Sequence, residues 1–125
     1  MASNPTYVIG IDLGTTNCAL AFANASNLDP RELPSVEQFP IAQLVNPGEV
    51  REEPLLPSCL FLSGKADFPE GSTALPWDSA PENVVGQLAK SRGAEVPQRL
   101  VASAKSWLCH TAVDRTAPIL PTTNV

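Results

Sequence analysis

The sequence predicts a mixed α/β chain, of α+β type over its 125 residues, in which an N-terminal β-hairpin and sheet are followed by two short helices. Three observations carry this. Two apolar runs, Val8 to Leu13 and Cys18 to Ala23, flank the turn-forming residues Gly14-Thr15-Thr16-Asn17. Most of the 13 prolines fall between Pro30 and Pro81, where they limit regular structure. From Asp78 onward the apolar spacing becomes helical.

Val8 to Leu13 reads as a strand buried on both faces, with Gly10 leaving room for close backbone approach. Asp12 is the anomaly in it, because a buried carboxylate is costly unless it is paired, hydrogen-bonded or neutralised by a metal. Gly14 then permits a tight turn with positive φ. Thr15, Thr16 and Asn17 can aim hydroxyls, an amide and successive backbone N–H groups at an anion. The same residues read equally as a plain hairpin turn whose donors bond to Asp12.

In the second strand Leu20 and Phe22 share one face, and Ala19, Ala21 and Ala23 the other. Asn24 to Gln38 carries turn signals and too little periodicity for an element, so it reads as a surface excursion. Phe39 to Val45 is a third strand, interrupted at its start by Pro40 and ended by the turn Asn46-Pro47-Gly48. Arg51 to Pro57 is polar and proline-bracketed. Cys59 to Leu62 is a short apolar strand, and Lys65 to Pro76 a loop with Trp77 at its far end. Ser79-Ala80-Pro81-Glu82 has the form of a capping box, which starts a helix near Pro81 and ends it at Arg92-Gly93. Val84-Val85-Gly86 reads equally as the end of a strand. Pro97 opens a second helix, with Leu100, Val101, Ala104, Trp107 and Leu108 as its apolar stripe. Lys105 lies off that stripe, and its pattern is that of an exposed solvating lysine.

The formal charge of −5, without a clustered Lys/Arg patch, argues against a nucleic-acid or anionic-membrane surface. Met1 to Tyr7 has no basic n-region and Asp12 breaks the apolar run after it. Neither a signal peptide nor a membrane span is expected, and the cytoplasm is the default location. Cys18, Cys59 and Cys109 are odd in number and widely spaced, which fits reduced thiols. Cys109-His110 is not at ligand spacing and there is no second His, so zinc is not expected.

The nonapeptide Ile9-Gly10-Ile11-Asp12-Leu13-Gly14-Thr15-Thr16-Asn17 resembles the first phosphate motif of the heat-shock protein 70 (DnaK-like) chaperone family, within the actin, sugar kinase and chaperone ATPase superfamily. The likeness extends further. Pro57-Ser58 before a short apolar strand, Val85-Gly86-Gln87-Leu88-Ala89-Lys90, and the ungapped spacing to Pro97 and Ala104-Lys105 are all similar to that family.

The resemblance implies part of a ribonuclease H-like, actin-type ATPase lobe. Residues 1–45 would supply strands of its inner subdomain, and residues 46–125 most of its outer one. It implies ATP/ADP and Mg²⁺ as cofactors of an ATP-hydrolysing chaperone. Client peptides and co-chaperones would be engaged through regions outside this chain. Gly14, Thr15, Thr16 and Asn17 would hold the β- and γ-phosphates, Asp12 would face the metal through water, and Lys105 would stand against the transferring phosphoryl group. The family's ATP lies between two lobes, so residues 1–125 alone are expected to bind nucleotide weakly, hydrolyse it negligibly, and self-associate through an uncovered hairpin.

The sequence also departs from the family. Cys18 stands where Ser is usual, Asn24 to Leu56 is longer, Lys65 to Trp77 diverges, and Ser106 to His110 lacks the glycine after the helix. Two other functions use the same opening motif: a carbohydrate or small-molecule kinase, and an actin-like non-catalytic assembly protein that would not need Lys105.

Overall fold

A computed structural model describes residues 6–26 and 29–121. Residues 1–5 of the polar N-terminal stretch, and Asn27 of the expected turn after Asn24, lie outside them. In chain order the strands are β1 (Tyr7–Leu13), β2 (Asn17–Asn24), β3 (Val36–Phe39), β4 (Ile41–Asn46), β5 (Glu49–Glu53), β6 (Leu56–Pro57), β7 (Cys59–Phe61) and β8 (Val84–Val85). Then follow helix α1 (Gln87–Glu95), a 3-10 turn (Pro97–Arg99), strand β9 (Leu100–Ala102) and the single-turn helix α2 (Ala104–Trp107). The chain is thus α+β, with antiparallel sheets and two helices. No helix among the described residues is long and apolar enough to cross a membrane.

β1 and β2 form a regular hairpin from Tyr7↔Asn24 to Leu13↔Cys18. The other edge of β2 is shared, β3 taking Leu20 to Ala23 and β6 taking Asn17 and Cys18. Proline 40 decides what happens next. The run expected to be one strand from Phe39 to Val45 splits around it, because proline cannot donate to a ladder. β3 therefore stays on the first sheet, and β4 turns away to pair with β5 across Asn46-Pro47-Gly48, where Gly48 takes φ +76°.

Several expected elements are corrected. The excursion from Asn24 to Gln38 ends in a strand, since Val36 already pairs with Ala23. Arg51 to Pro57 contains the end of β5 and all of β6. β5 is an edge strand whose charges face solvent, with Arg51 paired to Glu49 and Glu53. α1 begins at Gln87 rather than near Pro81, and Val84-Val85 closes a strand on β7. α1 also runs past Gly93 to Glu95, because Gly93 is where Leu100 packs against the helix and a Cβ would collide with its side chain.

The expected second helix is mostly not a helix. Leu100-Val101-Ala102 forms β9, paired with β7 from Cys59↔Ala102 to Phe61↔Leu100. A backbone able to complete a three-stranded sheet over α1 overrides the stripe's helical spacing.

The core is Leu44, Phe61, Val84, Leu88 and Ala89, with Cys59, Phe68 and Leu75 against it, and it is drawn from β4, β7, β8 and α1. A side-chain clamp closes this layer. Asp67 accepts a forked pair of bonds from Arg99, at 2.9 and 2.6 Å, and another from the Gly64 amide. Arg99 stacks over Phe61, and Arg92 over Phe68.

The first sheet has no comparable cover. Strand β1, expected to be buried on both faces, is exposed throughout, its apolar side chains at 52% to 67%. Tyr7, Phe22 and Phe39 make an edge-to-face aromatic row on one open face. On the other lie Gly10, Ala19 and Ala21, and a Cβ on Gly10 would meet nothing within 4 Å.

Candidate functional site

The β1–β2 hairpin is regular up to Leu13↔Cys18, so residues 14 to 16 must reverse the chain in little space. Gly14 does not take the positive φ expected of it. Glycine is needed there for a different reason: a Cβ would overlap the carbonyl oxygen of Asn17. The turn folds so tightly over itself that only a hydrogen fits.

Two distant segments close on this turn. The β6–β7 junction brings Ser58, whose N–H donates to the Thr16 carbonyl at 2.9 Å and whose Oγ donates to the Gly14 carbonyl at 2.7 Å. The Cys18 Sγ lies 3.5 Å from the same hydroxyl oxygen. From the other side, Ser103 adopts φ 53°, a left-handed conformation that turns the chain out of β9 and into α2. Lys105 on that turn of helix reaches the hairpin, its Nζ donating to the Leu13 carbonyl at 2.8 Å across 92 residues of sequence.

An open groove of about 630 Å³ results, lined by Leu13, Gly14, Thr15, Ser58, Val101 and Lys105 among others. Cys18 and Cys59 belong to its apolar wall, and burial pushes the Cys59 thiol up, which keeps it protonated. Lys105 supplies the groove's only cationic side chain. Among the described residues neither the Thr15 nor the Thr16 N–H has a backbone hydrogen-bond partner. Consecutive free N–H groups beside a lysine make an arrangement suited to an anion.

The expected residues are not all gathered together. Gly14, Thr15 and Lys105 share the groove, whereas Asp12, Thr16 and Asn17 are outside its lining. Asn17 is the first residue of β2, facing Pro57. Asp12 alternates to the opposite face of the sheet, with Gly10, Ala19 and Ala21. It is exposed, so the cost of burial that singled it out does not arise in this structure. Mg²⁺ holds most of its waters and needs few protein ligands, so the chemistry of one exposed carboxylate next to this turn fits an outer-sphere partner. No group of three or more His, Cys, Asp or Glu among the described residues would ligate a metal directly.

Sequence reasoning gave Ser58 no role. Its signal was its place after Pro57, at the start of a short apolar strand that the chain must bring against the hairpin. Ser103 left no signal, because a left-handed serine looks like any other. Comparisons with family models, curated proteins and solved structures give no match.

Proposed function

We propose that this chain supplies one wall of an ATP site, belonging to an ATP-hydrolysing chaperone of the heat-shock protein 70 type built on an actin-like ATPase lobe. The observation that carries the reading is the bond from Lys105 to the Leu13 carbonyl. A lysine that the helix pattern marks as ordinary solvating surface is held at a turn whose consecutive Thr15 and Thr16 amides have no backbone partner among the described residues. The resemblance of Pro57-Ser58 and of Val85 to Lys105 supports the chaperone type over a kinase, which would use the opening motif equally well.

Phosphoryl transfer needs positioning and charge stabilisation more than covalent chemistry. The N–H groups and hydroxyls of Thr15 and Thr16, with the Asn17 side chain, would hold the β- and γ-phosphates. Gly14 would let the backbone come close. Lys105 would exchange the Leu13 carbonyl for a phosphoryl oxygen, which its flexible stem allows, and set a positive charge against developing negative charge. Asp12 would accept hydrogen bonds from water on Mg²⁺, which when bound neutralises the phosphates. Client peptides and co-chaperones would engage other parts of the assembly. Three free thiols are in keeping with a reducing, cytoplasmic setting.

Calorimetric titration of residues 1–125 with Mg-ATP is expected to give affinity weaker than micromolar, with no turnover, because only one wall is present. Micromolar affinity would overturn the one-wall reading. In an assembly that has the second wall, Lys105→Ala separates the alternatives. A chaperone ATPase loses turnover and keeps nucleotide affinity, whereas an actin-like assembly protein changes its polymerisation instead.

A further inference from the structure

Resting on the phosphate-turn reading, we infer that Ser58 is the positioning residue of that turn, a bidentate latch that aims the Thr15 amide at the anion. Ser58 bonds the turn twice from one residue, through Oγ to the Gly14 carbonyl at 2.7 Å and through its N–H to the Thr16 carbonyl at 2.9 Å. A serine hydroxyl has one proton to give, and the short bond to Gly14 uses it. The Cys18 thiol at 3.5 Å is therefore the donor in its contact with Ser58 Oγ, so a relay runs from Cys18 through Ser58 to Gly14.

The consequence follows from peptide geometry. A trans peptide sets its N–H opposite its C=O. With the Gly14 carbonyl held toward Ser58, the Thr15 N–H of the same peptide must face the other way, and among the described residues it has no backbone partner. Gly14 makes this control necessary. Its lack of a side chain lets the turn fold tightly over Asn17 but leaves the Gly14–Thr15 peptide free to flip, and the Ser58 hydroxyl removes that freedom. Because β6 bonds to the start of β2, the latch is carried by the sheet itself.

The test is nuclear magnetic resonance on residues 1–125, comparing wild type with Ser58→Ala and Ser58→Thr, the second keeping the hydroxyl. Backbone order parameters at Gly14, Thr15 and Thr16 are expected near about 0.85 in the wild type and below about 0.6 in Ser58→Ala, while the amides of β7 and β9 keep their values. Inorganic pyrophosphate should perturb the Thr15 and Thr16 amides, with apparent affinity lowered roughly tenfold or more in Ser58→Ala, the loss of about 1.4 kcal/mol of positioning. Ser58→Thr should restore both. A residue that merely stabilised the fold would lower the melting temperature and leave the turn's order unchanged, and that result overturns the latch. Should Ser58→Ala unfold the β6–β7 junction, Ser58→Cys keeps the volume, weakens the donor and gives the same readout. Lost order in Ser58→Ala without any pyrophosphate response in the wild type would uphold the latch and sink the phosphate reading.

Discussion

Gly14 and Asp12 both differ in the structure from the reasons that singled them out in the sequence. The glycine was legible as a turn residue, yet what demands it is the Asn17 carbonyl against its α-carbon rather than a positive φ. Gly14→Ala is therefore expected to cost about 1–3 kcal/mol in urea denaturation and to shift the amide signals of residues 14 to 17. Asp12 drew notice as a buried carboxylate and is exposed, like the rest of β1. Lys105 was ordinary by pattern, and only a three-dimensional contact brings it to the hairpin. Asp67 carries the clearest pH dependence. The Arg99 side chain, then the Gly64 amide, hold its carboxyl below the usual 3.8. A lowered native value gives stability that is fully present above the unfolded value and is lost as pH falls through the folded one. The melting temperature of the wild type should thus drop more steeply below pH 4 than that of Asp67→Asn, and parallel curves for the two would contradict the clamp.

Elements were legible where local pattern and tertiary context agreed. The β1–β2 hairpin, the turn at Asn46-Pro47-Gly48 and the strand at Cys59 all follow from apolar runs bounded by turn residues. β5 was missed because its residues are almost all charged, a composition that suits an edge strand supported from one side. β9 was read as helix because i, i+3, i+4 spacing arose by coincidence in a segment that β7 and α1 claim for a sheet. The start of α1 depends on a contact no local rule supplies. Buried Gln43 accepts from the Gln87 amide at 3.0 Å and donates to the Leu55 carbonyl at 2.9 Å, doing the capping that Gly86 lacks a side chain to do. Gln43→Met keeps the approximate volume but strands both groups, and should destabilise by about 1–3 kcal/mol in urea denaturation. Gly86→Ala should cost at least as much, since φ is +75° and a Cβ would meet Gln43 and Leu56.

Over the full chain, the two halves differ in kind. One has a core, a helix and a salt-bridge clamp; the other is a sheet open on both sides. The accessible surface is 9087 Å², against about 6,400 Å² for a compact single domain of 13.2 kDa. That excess is larger than one side of a standard protein interface, about 800 Å². A free, apolar edge strand without a lysine or proline in it invites pairing, so the chain is expected to associate with rising concentration in sedimentation experiments. Ile11→Lys should suppress this, and a wild type that stays monomeric across concentration would show that the sheet tolerates its exposure. The proposed function rests on phosphate meeting the turn at Gly14 to Asn17. Titrating ¹⁵N-labelled chain with Mg-ATP at millimolar concentration, beside adenosine as control, should move the amide signals of Gly14 through Asn17 and the Lys105 side chain with ATP alone. Shifts confined to other residues, or equal shifts with adenosine, would contradict a phosphate cradle at this hairpin.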